Sequence, residues 1–191
     1  QEVAAEIEYR MKRLGAQAPS FETIAVSGTQ SSRPHGVPRN VKLERGFLTM
    51  DFGCILNGYC SDMTRTVSVG KADEEMKKVY NTVLRAQTAA IDFIREGVLC
   101  CDADKVARDI IDADYKGCFG HSLGHGVGMY IHEEPRLSTR CTKVLKVGHV
   151  VTVEPGIYIP GKYGVRIEDM MQITPSGAID ITKSPKNLIE I

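Results

Sequence analysis

The sequence has no net charge, its 24 basic side chains being offset by 24 acidic ones. That balance removes any electrostatic case for a nucleic acid or an anionic membrane as the main partner. No apolar run approaches the roughly 20 residues a membrane-spanning helix needs, and no signal-peptide pattern opens the chain. Six cysteines, Cys54, Cys60, Cys100, Cys101, Cys118 and Cys141, form neither a CxxC pair nor a regular framework. Reduced core or surface residues in the cytoplasm fit that pattern better than a disulfide scaffold. No low-complexity linker or charge block divides the 191 residues, which suffice for one substantial core. Gln1 stands where a starting Met would be, already inside a helical pattern, so the chain reads as part of something longer.

What is present is an α+β alternation of patterns. Residues 1–14 read as the end of an amphipathic helix, with Val3, Ile7, Met11 and Leu14 on one stripe and Gly15 as a stop. A strand is expected over Phe21–Val26, followed by a polar Ser-, Gly- and Pro-rich loop holding His35 between Pro34 and Gly36. Asp73 caps a long helix running to about Glu96 and ended by Gly97, and a second helix covers about Asp102–Ala113 with Val106 and Ile110 inward. Gly120–His132, His149–Ile159 and Tyr163–Thr174 are strand-like.

The stretch MDFGCILNGYCSDMTRT, residues 50–66, is the anchor. Asn57-Gly58 between two runs of β-formers is a hairpin signal, because both positions tolerate positive φ. A turn symmetric about that pair sets Asp62 opposite Gly53. Asp51 and Asp62 then share a face as diagonal neighbours, roughly 7–8 Å apart. Two solvated carboxylates are the plain alternative. The flanking Met50, Phe52, Ile55 and Met63 argue against free solvation, and two desolvated like charges call for a cation.

Further along, GHSLGHGVGMYIHEEP gathers His121, His125 and His132 among glycines that let backbone and substrate approach closely. In an extended segment His121 and His125 share a face, whereas His132 joins them only if a turn intervenes. Loop histidines are the plain alternative, and His149, without such a context, reads as structural. Glu154 sits inside the apolar run VVTVEPGIY, and Glu168 with Asp169 inside GVRIEDMMQI beside Arg166. A charged residue in a strand fit for burial needs a partner or a metal. If Pro160-Gly161-Lys162 is a three-residue loop, Glu154 stands opposite Glu168. Four carboxylates and one imidazole make a hard, oxygen-rich donor set. It favours Mn²⁺ or Co²⁺, with Zn²⁺ and Fe²⁺ as the other candidates. Five donors exceed what one catalytic ion takes, so two divalent ions sharing carboxylates, with a nucleophile generated at neutral pH, explain the number better.

Together and in this order, SGTQSSRPHG, DFGCILNGYCSDMTRT, GHSLGHGVG with IHEEP, TVEPGIY and GVRIEDM resemble the pita-bread metallopeptidases, which include methionine aminopeptidase, aminopeptidase P and prolidase. The resemblance covers nearly all of the chain. It implies two pseudo-symmetric α+β halves over a curved antiparallel sheet, with helices on one side and metals in the cleft. It also implies Asp51, Asp62, His125, Glu154 and Glu168 as dinuclear metal ligands, with Asp62 and Glu168 bridging. His35 and His132 take substrate or proton-transfer roles, and Glu154 is the expected proton shuttle to the leaving amine. His121 ahead of the ligand histidine, and Arg166 in the RIED run, look like the branch that cleaves before proline. By that resemblance His121 shapes a proline pocket and Arg166 supports the carboxylates. Methionine aminopeptidases usually carry cysteine-glycine before that histidine and lack the arginine. The expected substrate is a peptide with proline in second position, and the expected full-length protein is a homodimer. Residues 1–191 would be its catalytic domain without the first helix and an N-terminal domain. The competing expectations are methionine aminopeptidase activity and a metal-free binding protein on the same fold.

Overall fold

Asn57 and Gly58 sit at φ 51° and 80°, as the hairpin turn requires. A computed structural model describes residues 1–191. The strands in chain order are β1 (Ala18–Pro19), β2 (Ile24–Ser27), β3 (Gly46–Phe52), β4 (Cys54–Leu56), β5 (Tyr59–Cys60), β6 (Met63–Val69), β7 (Gly124–Gly126), β8 (Glu133–Leu137), β9 (Val150–Val153), β10 (Gly156–Ile159), β11 (Tyr163–Arg166), β12 (Asp169–Thr174) and β13 (Gly177–Asp180). The helices are α1 (Glu2–Arg13), α2 (Glu74–Phe93) and α3 (Cys100–Tyr115), and a 3₁₀ turn spans Gly28–Ser32. None of the helices is long and apolar enough to cross a membrane.

Two broken hairpins dominate the architecture, and all the strand pairs within them are antiparallel. In the first, one register runs from Leu56↔Tyr59 and Ile55↔Cys60 to Phe52↔Met63 and on to Gly46↔Val69. The ladder is interrupted at Gly53 on one arm and at Ser61–Asp62 on the other, so Asp62 stands across from Gly53 as expected. The second hairpin repeats the device. Ile159↔Tyr163 through Gly156↔Arg166, and then Val153↔Asp169 through Val150↔Gln172, share one register on either side of a gap. Glu154 and Glu168 lie in that gap, facing one another. The three-residue loop and its predicted pairing are therefore correct.

Alternation along the strands separates core from cleft. Val151, Val153, Val165, Ile167, Met171 and Ile173 are wholly buried in one core with Val79, Val83, Ala86 and Ala90 of α2 and Ala103, Ala107 and Ile111 of α3. Thr152, Arg166 and Glu168 turn the other way. Asp73 caps α2, its Oδ1 accepting from the Met76 amide at 2.8 Å.

Several element boundaries and faces differ from expectation. Strand β2 begins at Ile24 rather than Phe21, because its partner β3 supplies pairs only as far as Asp51. Of Gly120–His132 only β7 is strand, the rest being loop and turn, while β8 and β13 were not anticipated. Helix α2 stops at Phe93, since Ile94 already adopts extended ψ (130°). Helix α3 begins at Cys100 and buries Cys100, Ala103, Asp104, Ala107 and Ile111 rather than a Val106/Ile110 stripe. Its alanines permit a close approach to α2 that the bulkier stripe would not. Leu14 caps α1 from outside the helix and is 88% exposed, so it leaves the predicted stripe.

Gly124 tests the fit between β7 and β9. A Cβ there would run into the Thr152 carbonyl, which is backbone and cannot step aside. Gly124→Ala should cost roughly 1–3 kcal/mol, read as a lower urea midpoint; an unchanged midpoint would show that β7 is free to move.

Candidate metal centre

Each broken hairpin delivers two carboxylates to one cleft of about 410 Å³, whose lining includes Asp51, Asp62, Glu154 and Glu168. His125 of β7 completes the set, and His35, His121 and His132 also line the cleft. A turn does intervene after β7, so His132 joins the other two histidines; its ring lies edge-on to His125 with centroids 4.5 Å apart. His149 stays outside, its Nδ1 accepting from the Lys146 amide. All the residues expected at the site are thus brought together, and His149 is not among them.

The side-chain hydrogen bonds decide which atoms face inward. His125 Nδ1 lies 3.0 Å from the Gly126 carbonyl, which can only accept, so Nδ1 carries the proton. The lone pair on Nε2 then points at Asp62 Oδ2, 3.5 Å away, and at Glu154 Oε1, 3.4 Å away. With both carboxylates ionised, acceptor faces acceptor twice. Asp51 Oδ1 is buried with no hydrogen-bond partner at all. One ligand atom each from Asp62, His125 and Glu168 all lie within 4.8 Å of one another, and all three residues are buried. Such a constellation is unfavourable for the protein alone and well suited to divalent cations. The donor set therefore fits the ions that its chemistry suggests.

Around these atoms runs a layer of donors. Arg166, buried, donates from Nη2 to Asp51 Oδ2 at 2.6 Å, from Nη1 to Tyr158 OH at 2.8 Å, and from Nε to Thr64 Oγ1 at 3.0 Å. Thr64 Oγ1 in turn donates to Glu168 Oε2 at 2.6 Å. Thr152 Oγ1 accepts from the His125 amide and donates to Glu154 Oε1 at 3.1 Å. Tyr158 OH also meets His121 Nε2 at 2.9 Å. On α3, Asp104 and Arg108 fix the approach to β7. Asp104 Oδ1 accepts from the Leu123 amide, and Arg108 donates to the Phe119 and His121 carbonyls.

Thr64, Thr152, Tyr158 and Asp104 were missed in the sequence. Thr64 was within reach, because the hairpin register pairs it with Asp51. Tyr158 reaches His121 across 37 positions and Asp104 reaches the Leu123 amide across 19, separations that local patterning does not register.

The electrostatics follow from burial among like charges. The Asp62 carboxyl is raised from the usual 3.8 to about 9, first by burial and then by repulsion from Asp51 and Glu154. Glu154 is raised to about 7, again mainly by burial, with Arg166 opposing and Asp51 adding to the rise. Glu168 is pushed well up by burial and by Asp62. Burial lowers His125 to about 4, which keeps its imidazole neutral and able to bind a metal. Burial, with Arg166 beside it, also lowers His121 to about 4.

The family model described as metallopeptidase family M24 matches residues 1–175. An uncharacterized peptidase, YqhT of Bacillus subtilis, is 50% identical over 189 residues, covering 98% of this chain and 54% of that protein. The Xaa-Pro dipeptidase of Pyrococcus furiosus is 48% identical over 190 residues, covering 98% and 55%. Among solved structures, the Xaa-Pro dipeptidase from Bacillus anthracis superposes with TM-score 0.97 at 48% identity, covering 100% of this chain and 54% of that one. The chain spans about half the length of the relatives it matches.

Two outcomes test the centre. An unfolded chain releases the Asp62 and Glu154 protons near pH 4, whereas the metal-free folded chain holds Asp62's to about pH 9. Stability of the chelator-treated protein is therefore full below that window and falls as pH rises through it. Mn²⁺ binds the deprotonated forms, so the rise in Tm on adding Mn²⁺ should be larger at about pH 8 than at about pH 6. A rise independent of pH would count against this electrostatic account. Thr64→Val, which deletes the 2.6 Å bond to Glu168, should weaken Mn²⁺ binding by about tenfold in calorimetric titration with the fold unchanged by circular dichroism.

Proposed function

This chain belongs to metallopeptidase family M24, and from that premise we propose that it releases an N-terminal residue from a following proline with the help of two divalent metal ions. It has the α+β pita-bread fold of that family's solved members. The observation that carries the proposal is the lone pair of His125 Nε2 facing two carboxylate oxygens, with Asp51 Oδ1 left without a partner nearby. Asp51, Asp62, His125, Glu154 and Glu168 would hold the ions. Four carboxylates with one imidazole favour Mn²⁺, then Co²⁺, over softer ions. When bound, the ions supply Lewis acidity for the scissile carbonyl and lower the pKa of water to give a nucleophile at neutral pH.

The chain's own groups orient the substrate and handle protons. Glu154, its Oε1 accepting from Thr152 Oγ1, would pass a proton to the leaving nitrogen. His132 and His35, both solvent-facing at the mouth, would donate to the substrate oxygen as charge develops there. His121, held by Tyr158 OH, would form a wall of the proline pocket. A prolyl bond lacks N–H and has a fixed shape, so general peptidases handle it poorly and a dedicated pocket makes chemical sense. Relatives named Xaa-Pro dipeptidase are 48% identical to this chain over nearly its whole length, which supports a dipeptide substrate. We further propose a cytoplasmic protein, in keeping with six free cysteines, and a homodimer at full length.

With Mn²⁺ supplied, Ala-Pro and Gly-Pro should be cleaved faster than Met-Ala. Preference for Met-Ala would make the protein a methionine aminopeptidase, and no Mn²⁺ bound at any ratio would make it a binding module. His132→Ala should lower kcat on Ala-Pro by about 10²-fold while the Mn²⁺ content measured by emission spectrometry stays that of the parent.

A further inference from the structure

Behind the cleft, on the side of the hairpins turned away from the carboxylates, a buried guanidinium has every donor in use. Arg65 donates from Nη1 to the Thr64 carbonyl at 2.9 Å and to the Glu168 carbonyl at 2.7 Å. From Nη2 it donates to Asp169 Oδ1 at 2.6 Å and to the Ser184 carbonyl at 2.9 Å, and from Nε to the Pro185 carbonyl at 2.9 Å. An arginine has five N–H groups, and each of these meets an acceptor. Asp169, with no exposed side-chain surface, is also gripped at Oδ2 by Gln87 Nε2 at 2.7 Å and Lys186 Nζ at 2.6 Å.

The acceptors belong to three pieces of chain. Thr64 lies two residues from Asp62 on the first hairpin, Glu168 and Asp169 lie on the second, and Ser184–Pro185 belong to the C-terminal segment. That segment is itself pinned, the Ser68 amide donating to the Ile189 carbonyl and Tyr80 OH to the Lys186 carbonyl. The Glu168 amide meets the same Thr64 carbonyl at 3.1 Å. Arg65 therefore spans the seam where the two carboxylate-bearing hairpins meet, holding backbone on both sides next to the groups that would share an ion.

We propose that Arg65 is a positioning residue for the metal centre: its fork sets the separation of the hairpins at which one ion reaches both Asp62 and Glu168, with Ser184–Pro185 as its outer wall. This inference rests on the metallopeptidase reading. A displacement of about 1 Å is enough to spoil such a site, and lysine, a point charge with three donors, cannot reproduce a five-bond fork.

Calorimetric titration of Mn²⁺ into the chelator-treated protein, well below its melting temperature, tests the proposal. Arg65→Lys should lower the affinity by about tenfold or more and, in the loaded enzyme, reduce kcat more than it raises KM. The pair Arg65→Met with Asp169→Asn removes both charges, so no lone ion stays buried, and should lose affinity similarly even if Arg65→Lys does not fold. Lys186→Met leaves all five Arg65 bonds in place and should lower Tm while keeping Mn²⁺ affinity within about twofold of the parent. Parental affinity in a folded Arg65 variant, or an equal loss in Lys186→Met, overturns the positioning role alone. A parent protein that binds no Mn²⁺ overturns the metallopeptidase reading and this inference with it.

Discussion

Four carboxylates share one desolvated cleft with an imidazole that is itself held neutral, and most of the surrounding architecture answers the resulting repulsion. Arg166 is the one guanidinium that touches this group directly, and it meets Asp51 closely while staying 4.0 Å from Glu154. A single cation cannot neutralise four carboxylates. The residual charge appears in the raised carboxyls of Asp62, Glu154 and Glu168. A polypeptide tolerates such a cluster by holding protons on it or by binding cations there. The unpartnered Asp51 Oδ1 and the His125 Nε2 lone pair between two carboxylate oxygens suit this cluster to divalent ions.

Holding like charges together takes rigid scaffolding, and the two hairpins provide it in the same way. Each breaks its ladder beside its carboxylates, at Gly53 and Asp62 in the first and at Glu154 and Glu168 in the second, then resumes the same register on the far side. The gaps free backbone groups that are satisfied elsewhere, the Glu154 amide by the Leu123 carbonyl and the Glu168 amide by the Thr64 carbonyl. Threonine hydroxyls bridge the front of the seam and Arg65 bridges the back. Small residues let the pieces close up, notably Gly124 against Thr152 and the alanines of α2 and α3 against one another.

Much of this was legible. The Asn-Gly turn and the three-residue loop set both hairpin registers, because period-two geometry carries a turn's phase outward without loss. That reasoning paired Asp62 with Gly53 and Glu154 with Glu168 correctly. Less reliable were the element ends and helix faces. Alanine at 103 and 107 looked uninformative beside Val106 and Ile110, yet the close approach to α2 selected the alanine face. Leu14 looked like a stripe residue but lies past the end of its helix.

The sequence by itself determined which donor side chains are available, the two hairpin registers and the zero net charge. These depend on residue identity, local turn geometry and total charge, all of which are short-range or additive. Only the tertiary structure decided how the hairpins meet, which way His125 points its lone pair, and that Thr64, Tyr158 and Arg65 bind the site together. The contacts of Thr64, Tyr158 and Arg65 join residues about 40 to 120 positions apart, and their geometry exists only once the core has packed.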